Sequence, residues 1–465
     1  MNVSVVDIAS DIPPTARIRR RSGFTIAADG SYAACLAQAE AGSAAGTAVG
    51  TSAGPTTGED AESGAGRWFV ERWTLGGPEP YAVPLPGGRS EEPATQVLPL
   101  GDGRVLVRRQ VADRHAFALL YPTGPGTGEL PLCSLAGAEV KLLPPGPVPG
   151  AAFALVHDEG VTAVWQVHGH GAADEPPVRV MEVPGRCTGG VWLDRTGRLL
   201  ALDRELDGRT KAVAADLTTG AISPLLQLTE DSDDRLLLAE PDSGLLMLRS
   251  DATGEARIGW GVLGSRHPVR FPDALQVPGA LFTPLVAQPG QILSPEAVVV
   301  ALRAEVPGGA QSLALWRPGG RQLHWRATPR GWLGPTACWP PGGELRLPYA
   351  LPDWPCGLIR YEPPAAEAGV EPEAEAAEEI GGEAGGDLDT VVGAEVVAAT
   401  LPAAGPAPAG SGPQARPDAP GEADPAPRLV REPGVCPPSP AASPARRIPA
   451  VLPLQQAPLA GARAR

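Results

Sequence analysis

Residues 50–54, Gly50-Thr51-Ser52-Ala53-Gly54, spell G-x-S-x-G, the pattern that surrounds a nucleophilic serine at a sharp strand-to-helix turn. That chemistry needs a buried strand before the motif and a helix after it, whose N-terminus stabilises the oxyanion. Residues 41–49, AGSAAGTAV, contain one β-branched aliphatic residue, and no helical apolar period follows Pro55. We therefore expect Ser52 to be non-catalytic and residues 40–66 to form a flexible Gly/Ala/Ser insertion.

A second candidate is His168-Gly169-His170, with Asp174 and Glu175 nearby. Two histidines two positions apart can face one metal ion from a strand. Gly169 and the surrounding HGHGAADEPP are typical of a loop instead, and a third ligand at a defined spacing is lacking. We interpret this segment as a solvent-exposed loop.

The acidic run Glu230-Asp231-Ser232-Asp233-Asp234 has the oxygen-rich chemistry that calcium prefers. It lacks the glycine and the distal glutamate of an EF-hand loop. We interpret it as a solvated connection between two structural units.

Acid and base groups stand side by side in His157-Asp158-Glu159-Gly160. The segment lies between two apolar runs, Leu155-Val156 and Val161–Ala163, which predicts an exposed hairpin tip instead of a catalytic pair. The sequence thus predicts no catalytic, cofactor-binding or metal-binding residues. It also lacks the phosphate-cradling G-x-x-x-x-G-K-[ST] pattern.

The cysteines and the N-terminal residues indicate the cellular compartment in which the protein is expected. The six cysteines are far apart and show no C-x-x-C spacing, so we expect buried free thiols in a reducing compartment. The N-terminal MNVSVVDIASDIPP does not match the pattern of a signal peptide, and no apolar run is long enough to predict a membrane helix. These features predict a cytoplasmic protein, and the excess of arginine (36) over lysine (2) points to a GC-rich bacterial gene.

The charge of the chain argues against nucleic acid as a partner. The formal net charge is −15. The one basic run, residues 17–21, is short and is followed at once by a strand-like segment, so we interpret it as a solvated surface patch.

Short strands separated by turn residues recur along the chain. In residues 191–220 the buried run Leu199–Leu202 precedes an Asp207-Gly208 turn, and a further strand leads to a Thr219-Gly220 turn. Similar units occupy residues 24–36, 98–109, 153–167, 239–260, 297–316 and 338–349. Equivalent turns lie mostly 37–56 residues apart. Repeated four-stranded units of this length predict an all-β fold, a β-propeller of about seven four-stranded blades. A pair of β-sandwich domains is the alternative fold.

The propeller should span residues 1–364. Its ten tryptophans lie within or beside strands and are expected to pack between blades. We expect the N-terminal strand Val3-Ser4-Val5-Val6 to close the ring by pairing into the blade made by residues 335–362.

Residues 365–465 differ in composition from the rest of the chain. They contain no aromatic residue and 17 prolines; ten acidic residues lie in 367–395, and a Pro/Ala-rich stretch follows. Such a segment cannot bury enough apolar surface to offset the entropy of ordering, so it is predicted to be a disordered tail.

The unit at residues 191–220 resembles the repeats of TolB-type propellers and of the N-terminal propeller of prolyl oligopeptidase-family serine peptidases. The resemblance rests on Trp192, the turn at Gly197, the run Leu199–Leu202, Asp216 and the Thr219-Gly220 turn. In those peptidases an α/β-hydrolase domain with Ser, Asp and His follows the propeller. Residues 365–465 contain no histidine and no alternating β/α pattern, so no catalytic residue carries over.

Two functions remain open from the sequence. The first is a non-enzymatic, monomeric interaction module, with no cofactor, that binds a protein or peptide on a propeller face or in its central channel. The alternative is the propeller part of a prolyl oligopeptidase-like peptidase whose hydrolase domain is missing or encoded separately.

Overall fold

The computed structural model describes residues 6–9, 18–40, 66–124, 126–169, 176–290, 293–306, 311–334, 336–341, 343–364 and 390–395. The chain divides into two compact units, Met1–Pro402 and Ala403–Arg465, and every described residue lies in the first. Ser52, His170 and most of the predicted tail lie outside the described residues.

The described residues form antiparallel strands joined by short connections. In the first part of the chain these are β1 (Val6–Ala9), β2 (Ile18–Ile26), β3 (Tyr32–Ala39), β4 (Trp68–Thr74), β5 (Tyr81–Leu85), β6 (Gln96–Pro99), β7 (Val105–Val111), β8 (Arg114–Pro122), β9 (Gly126–Ala136), β10 (Glu139–Leu142), β11 (Ala152–Asp158), β12 (Val161–His168) and β13 (Val178–Pro184). The later strands are β14 (Arg186–Trp192), β15 (Leu199–Leu206), β16 (Arg209–Asp216), β17 (Ile222–Leu226), β18 (Asp234–Glu240), β19 (Leu245–Ser250), β20 (Arg257–Val262), β21 (Pro268–Phe271), β22 (Leu281–Ala287), β23 (Val300–Glu305), β24 (Gln311–Trp316), β25 (His324–Arg326), β26 (Leu345–Leu351), β27 (Trp354–Tyr361) and β28 (Thr390–Glu395). Asp273–Leu275 forms a single 3₁₀ turn.

Six sheets each contain four strands in chain order, and we call them blades 1 to 6. They are β2–β5, β6–β9, β10–β13, β14–β17, β18–β21 and β22–β25. The β-propeller prediction is confirmed, but the predicted count of about seven four-stranded blades is wrong. The last sheet contains two strands, β26 and β27, extended by the isolated bridges Trp332↔Tyr349 and Cys338↔Arg346. Prolines and glycines at 329–343 limit regular pairing there.

The second strand of each blade is buried on both faces. In β15, Leu199 and Ala201 pack towards blade 5, whereas Leu200 and Leu202 pack towards blade 3. Because side chains alternate across a strand, a continuous apolar run supplies both neighbouring cores. The Asp207-Gly208 turn predicted after this run is confirmed, with φ values of 52° and 75° that suit a two-residue hairpin.

Seven apolar clusters join neighbouring sheets around the ring. Six lie between consecutive sheets, from blade 1 with blade 2 through to blade 6 with the β26–β27 sheet. The seventh contains Trp73 of blade 1 with Cys356 and Leu358 of β27, and so closes the ring. First strands of neighbouring blades, such as β2 and β6 or β18 and β22, contact one another and therefore lie innermost.

The predicted closing role of the N-terminal strand Val3–Val6 is wrong at Val6, while Val3, Ser4 and Val5 lie outside the described residues. β1 pairs with β9 at the outer edge of blade 2, with Val6 opposite Glu129 and Ala9 opposite Gly126. The eleven-residue β9 offers unpaired backbone groups along that edge. Side-chain packing closes the ring instead.

One part of the predicted disordered tail forms a strand. β28 pairs antiparallel with β21 at the outer edge of blade 5, with Thr390 opposite Phe271. The remainder of residues 365–465 lies outside the described part of the chain.

Candidate interaction face

The blades have two chemically different ends. The hairpins between second and third strands, and the connections from one blade to the next, lie at one end, which we call the hairpin end. The connections between first and second strands, and between third and fourth, lie at the opposite end.

Exposed apolar side chains concentrate at the hairpin end. Ten large hydrophobic residues are strongly exposed among the described residues, and six of them lie at this end: Val111, Val161, Leu206, Val277, Leu281 and Trp354. Trp354, at 61% exposure, is the most accessible of the ten. The tryptophans predicted to pack between blades do so at Trp73, Trp260, Trp316 and Trp339, but Trp354 does not.

Three consecutive hairpins, in blades 2, 3 and 4, share one geometry. Each turn has two residues, Ala112-Asp113, Glu159-Gly160 and Asp207-Gly208. The first residue of each turn is in the left-handed region, with φ of 55°, 45° and 52°. Tight turns closed by paired strands hold their side chains in defined positions.

The same three hairpins share one chemistry. Each carries one exposed aliphatic side chain, Val111, Val161 or Leu206. Each also carries exposed carboxylates, which are Asp113 in blade 2, Asp158 and Glu159 in blade 3, and Glu205 and Asp207 in blade 4. We call these three hairpin tips, residues 111–114, 158–161 and 205–209, the acidic tip arc.

The predicted hairpin tip at His157–Gly160 is confirmed by β11 and β12, with Asp158 opposite Val161. His157 Nδ1 lies 3.2 Å from the Thr162 hydroxyl across the hairpin. Asp158 and Glu159 are exposed to solvent at the tip. The histidine therefore belongs to the strand pair, and the carboxylates belong to the surface of the arc.

The predicted solvated connection at 230–234 is wrong at Ser232 and Asp234, which are both buried. Glu230 and Asp231 are exposed, but Asp234 is fully buried. The Asp234 carboxylate accepts hydrogen bonds from Lys211 Nζ (2.9 Å) and from Ser250 Oγ (2.6 Å). It also accepts bonds from the Ser232 hydroxyl and the Leu228 amide, so its oxygens tie blade 4 to blade 5. The described residues contain no group of three or more His, Cys, Asp or Glu side chains placed to hold a metal ion.

His168 ends β12 at the opposite end of the blades. Its Nε2 lies 3.4 Å from Arg104 Nη2, and Arg104 forms an ion pair with Asp102 at 2.6 Å. The positive charge of Arg104 at that distance opposes the binding of a metal ion at His168. His170, Asp174 and Glu175 lie outside the described residues.

A shallow depression also lies at the opposite end. It is lined by residues 27–29, 98–101 and 145–151 from blades 1 to 3. Asp29 is its one charged side chain, and Asp29 Oδ1 already accepts bonds from the Ser31 amide and hydroxyl. Proline, glycine and alanine make up most of the remaining surface, which therefore offers few directional contacts to a ligand.

The five described cysteines are free thiols, of which Cys35, Cys187 and Cys338 are buried, as predicted, whereas Cys133 and Cys356 are only partly buried. Burial raises the pKa of the Cys187 and Cys338 thiols to about 11, so both remain protonated at neutral pH. Cys436 lies outside the described residues.

The sequence matches no protein-family model and no curated protein. Among solved structures, TolB from Acinetobacter baumannii is similar over 64% of this chain and 76% of its own, at 10% identity and a TM-score of 0.35. Puromycin hydrolase is similar over 76% of this chain and 54% of its own, at 17% identity and a TM-score of 0.42. The acylaminoacyl peptidase of Pyrococcus horikoshii is similar over 75% of this chain and 51% of its own, at 11% identity and a TM-score of 0.41. The chain spans about half the length of these two hydrolytic enzymes.

The solved structures similar to this chain thus include TolB and peptidases, the proteins whose propeller repeats the unit at residues 191–220 resembles. The β-propeller fold itself is established by the blade order and the inter-blade clusters. The described part of the chain contains no helix with the length and hydrophobicity of a membrane span.

Proposed function

We propose that this protein is a non-enzymatic interaction module that binds a protein or peptide partner at the hairpin end of its propeller. The observation that carries the proposal is the concentration there of six of the ten strongly exposed large hydrophobic side chains. Exposed apolar side chains grouped on one face of a soluble domain commonly mark an interaction site.

The rigidity of this end supports the same proposal. Short paired hairpins present Val111, Val161 and Leu206 without long connecting loops. A binding surface that is already ordered loses less conformational entropy on binding, so more of the free energy of the contacts contributes to affinity. The depression at the opposite end offers one carboxylate, already engaged by Ser31, and mainly small or proline side chains.

Site-specific photo-crosslinking in the cell of origin tests the proposal. A benzophenone amino acid placed at Leu206 should cross-link one defined partner. The same group placed at Tyr81, which is similarly exposed (51% against 44%) but lies at the opposite end, serves as the matched control. Equal cross-linking from both positions, or cross-linking from Tyr81 alone, would contradict the proposal.

The peptidase alternative is tested on the purified full chain. A fluorophosphonate probe should label the wild-type protein no more than a Ser52→Ala variant, and peptide substrates should not be hydrolysed. Stoichiometric labelling that the Ser52→Ala change removes, together with hydrolysis, would replace the interaction proposal by a serine-hydrolase activity.

A further inference from the structure

We propose that the segment recognised by the acidic tip arc is basic and amphipathic, a protein segment that combines arginine or lysine with aliphatic side chains. This inference rests on the proposed function and specifies the chemistry of the partner.

The first argument is that each tip of the arc carries the same two chemistries. Val161 stands directly opposite Asp158 in the β11–β12 register, next to Glu159 at the turn. Leu206 and Val111 stand opposite Arg209 and Arg114, and their carboxylates are sequence neighbours, Glu205 and Asp207 in blade 4 and Asp113 in blade 2. A partner that covers the aliphatic groups must therefore bring its own groups beside the carboxylates. Cations satisfy those carboxylates, whereas a neutral apolar partner would desolvate them without compensation.

The second argument is the balance of charge within the arc. The three tips carry five exposed carboxylates and two arginines, Arg114 and Arg209. Arg114 donates to the Ser134 hydroxyl (3.0 Å) and carbonyl (2.9 Å), so its guanidinium is held along its own blade. Within the described residues, four of the five carboxylates form no ion pair, namely Asp113, Asp158, Glu159 and Asp207. Glu205 lies 4.0 Å from Arg186, which pairs more closely with Glu139 at 3.0 Å.

The third argument is that exposed carboxylates continue beyond the arc. The connection from blade 4 to blade 5 exposes Glu230 and Asp231, and the next hairpin exposes Glu255, whereas the exposed Arg186 between blades 3 and 4 is paired with Glu139. An excess of carboxylates at one end of the domain speeds the approach of a cationic partner. The aliphatic tips then supply the non-directional part of the affinity, because exposed ion pairs contribute little individually.

The test measures binding of synthetic peptides by fluorescence anisotropy with the purified full chain. The probe is an amphipathic peptide of arginine, leucine and serine, and a peptide with glutamate in place of arginine is the reference. The arginine peptide should bind and the glutamate peptide should not. The Glu159→Gln/Asp207→Asn double variant should weaken binding about tenfold. Both side chains are exposed at turn positions, so the substitutions should leave the fold intact.

The charge-matched control is Glu79→Gln/Glu296→Gln, which removes two exposed carboxylates at the opposite end. It should change the affinity less than about twofold, because strands of about seven residues, about 23 Å, separate the two ends, and charges are screened over about 8 Å in physiological salt. A second pair of substitutions, Val161→Thr and Leu206→Thr, keeps the charge and should also weaken binding.

The outcomes separate this inference from the proposed function. Equal losses in the tip and control variants would mean attraction to net charge alone and would overturn the inference. A partner cross-linked at Leu206 through an acidic or uncharged segment would support the proposed function and also overturn the inference. A cross-linked basic segment whose affinity falls in the tip variant alone would support both.

Discussion

Arg21 and Glu71 form an ion pair inside the ring, with Arg21 Nε 2.6 Å from Glu71 Oε2 and the two side chains 9% and 6% exposed. Trp73 Nε1 donates to the same carboxylate oxygen at 2.9 Å, and Arg21 lies over the Trp73 ring. Trp73 belongs to the cluster that joins blade 1 to β27. The Arg21–Glu71 ion pair therefore lies next to the apolar cluster that closes the ring between blade 1 and β27.

Glu71→Gln should strongly destabilise the protein. The substitution leaves the Arg21 guanidinium buried without a counter-charge, which typically costs about 3–5 kcal/mol. The midpoint of urea unfolding measures the loss. Glu182→Gln is the control, because Glu182 pairs with Arg179 where both side chains are more than half exposed, and it should cost less than about 1 kcal/mol. Equal effects of the two substitutions would contradict a stabilising role for the buried pair.

Asp203 should make the stability of the protein fall as the pH rises. Burial raises the pKa of its carboxyl to about 6, against an ordinary value of about 3.9 in the unfolded chain. The folded state therefore binds more protons between about pH 4 and pH 6, and unfolding becomes easier as the pH increases through that window. The full effect is at most about 3 kcal/mol.

The Asp203→Asn variant isolates this effect. The amide side chain introduced there would keep an oxygen to accept the Leu236 amide, now bonded to Asp203 Oδ1 at 2.9 Å, but would carry no charge at any pH. Relative to the wild type, the variant should gain stability from pH 4 to pH 7 in a series of urea titrations. A difference that is constant over this range, or that has the opposite sign, would show that the Asp203 carboxyl is not the source.

Asp234→Asn should loosen the junction between blades 4 and 5. The carboxylate is fully buried and faces Lys211 Nζ at 2.9 Å, so the change leaves the ammonium without its counter-charge. We expect a loss of about 3 kcal/mol or more in the free energy of unfolding. Asp231→Asn, three residues earlier and exposed, should change it by less than about 0.5 kcal/mol. If the two variants unfold at the same denaturant concentration, Asp234 does not tie the blades together.

Truncation after Glu395 and truncation after Pro364 should give proteins of nearly equal stability. The second removes β28, which pairs with β21 through four register partners. Net hydrogen-bond gains of about 1 kcal/mol each are offset by about 1–2 kcal/mol of backbone entropy for every residue ordered. Differential scanning calorimetry of the two chains should show midpoints within a few degrees. A drop of more than about 5 °C on removal of β28 would mean that the strand contributes substantially to blade 5.

Local sequence determined the repeated elements of this protein. The run Leu199–Leu202 and the Asp207-Gly208 turn define a doubly buried strand and its hairpin, because alternation of side chains and left-handed turn residues are properties of a few neighbouring positions. The tip at His157–Gly160 followed from the same signals. Such signals establish blades and their turns without reference to distant parts of the chain.

Tertiary structure decided how the elements meet. The sequence placed the N-terminal strand in the last blade, yet β1 pairs with β9, because an unpaired strand edge accepts any extended segment and neither strand alone specifies its partner. The sequence predicts a solvated carboxylate at Asp234, but in the fold this side chain is buried and forms an ion pair with Lys211, which lies on another strand. The acidic tip arc has the same origin. Asp113, Glu159 and Asp207 are separated by about one blade each in the chain, and the ring brings them to one end because every blade repeats the same strand directions.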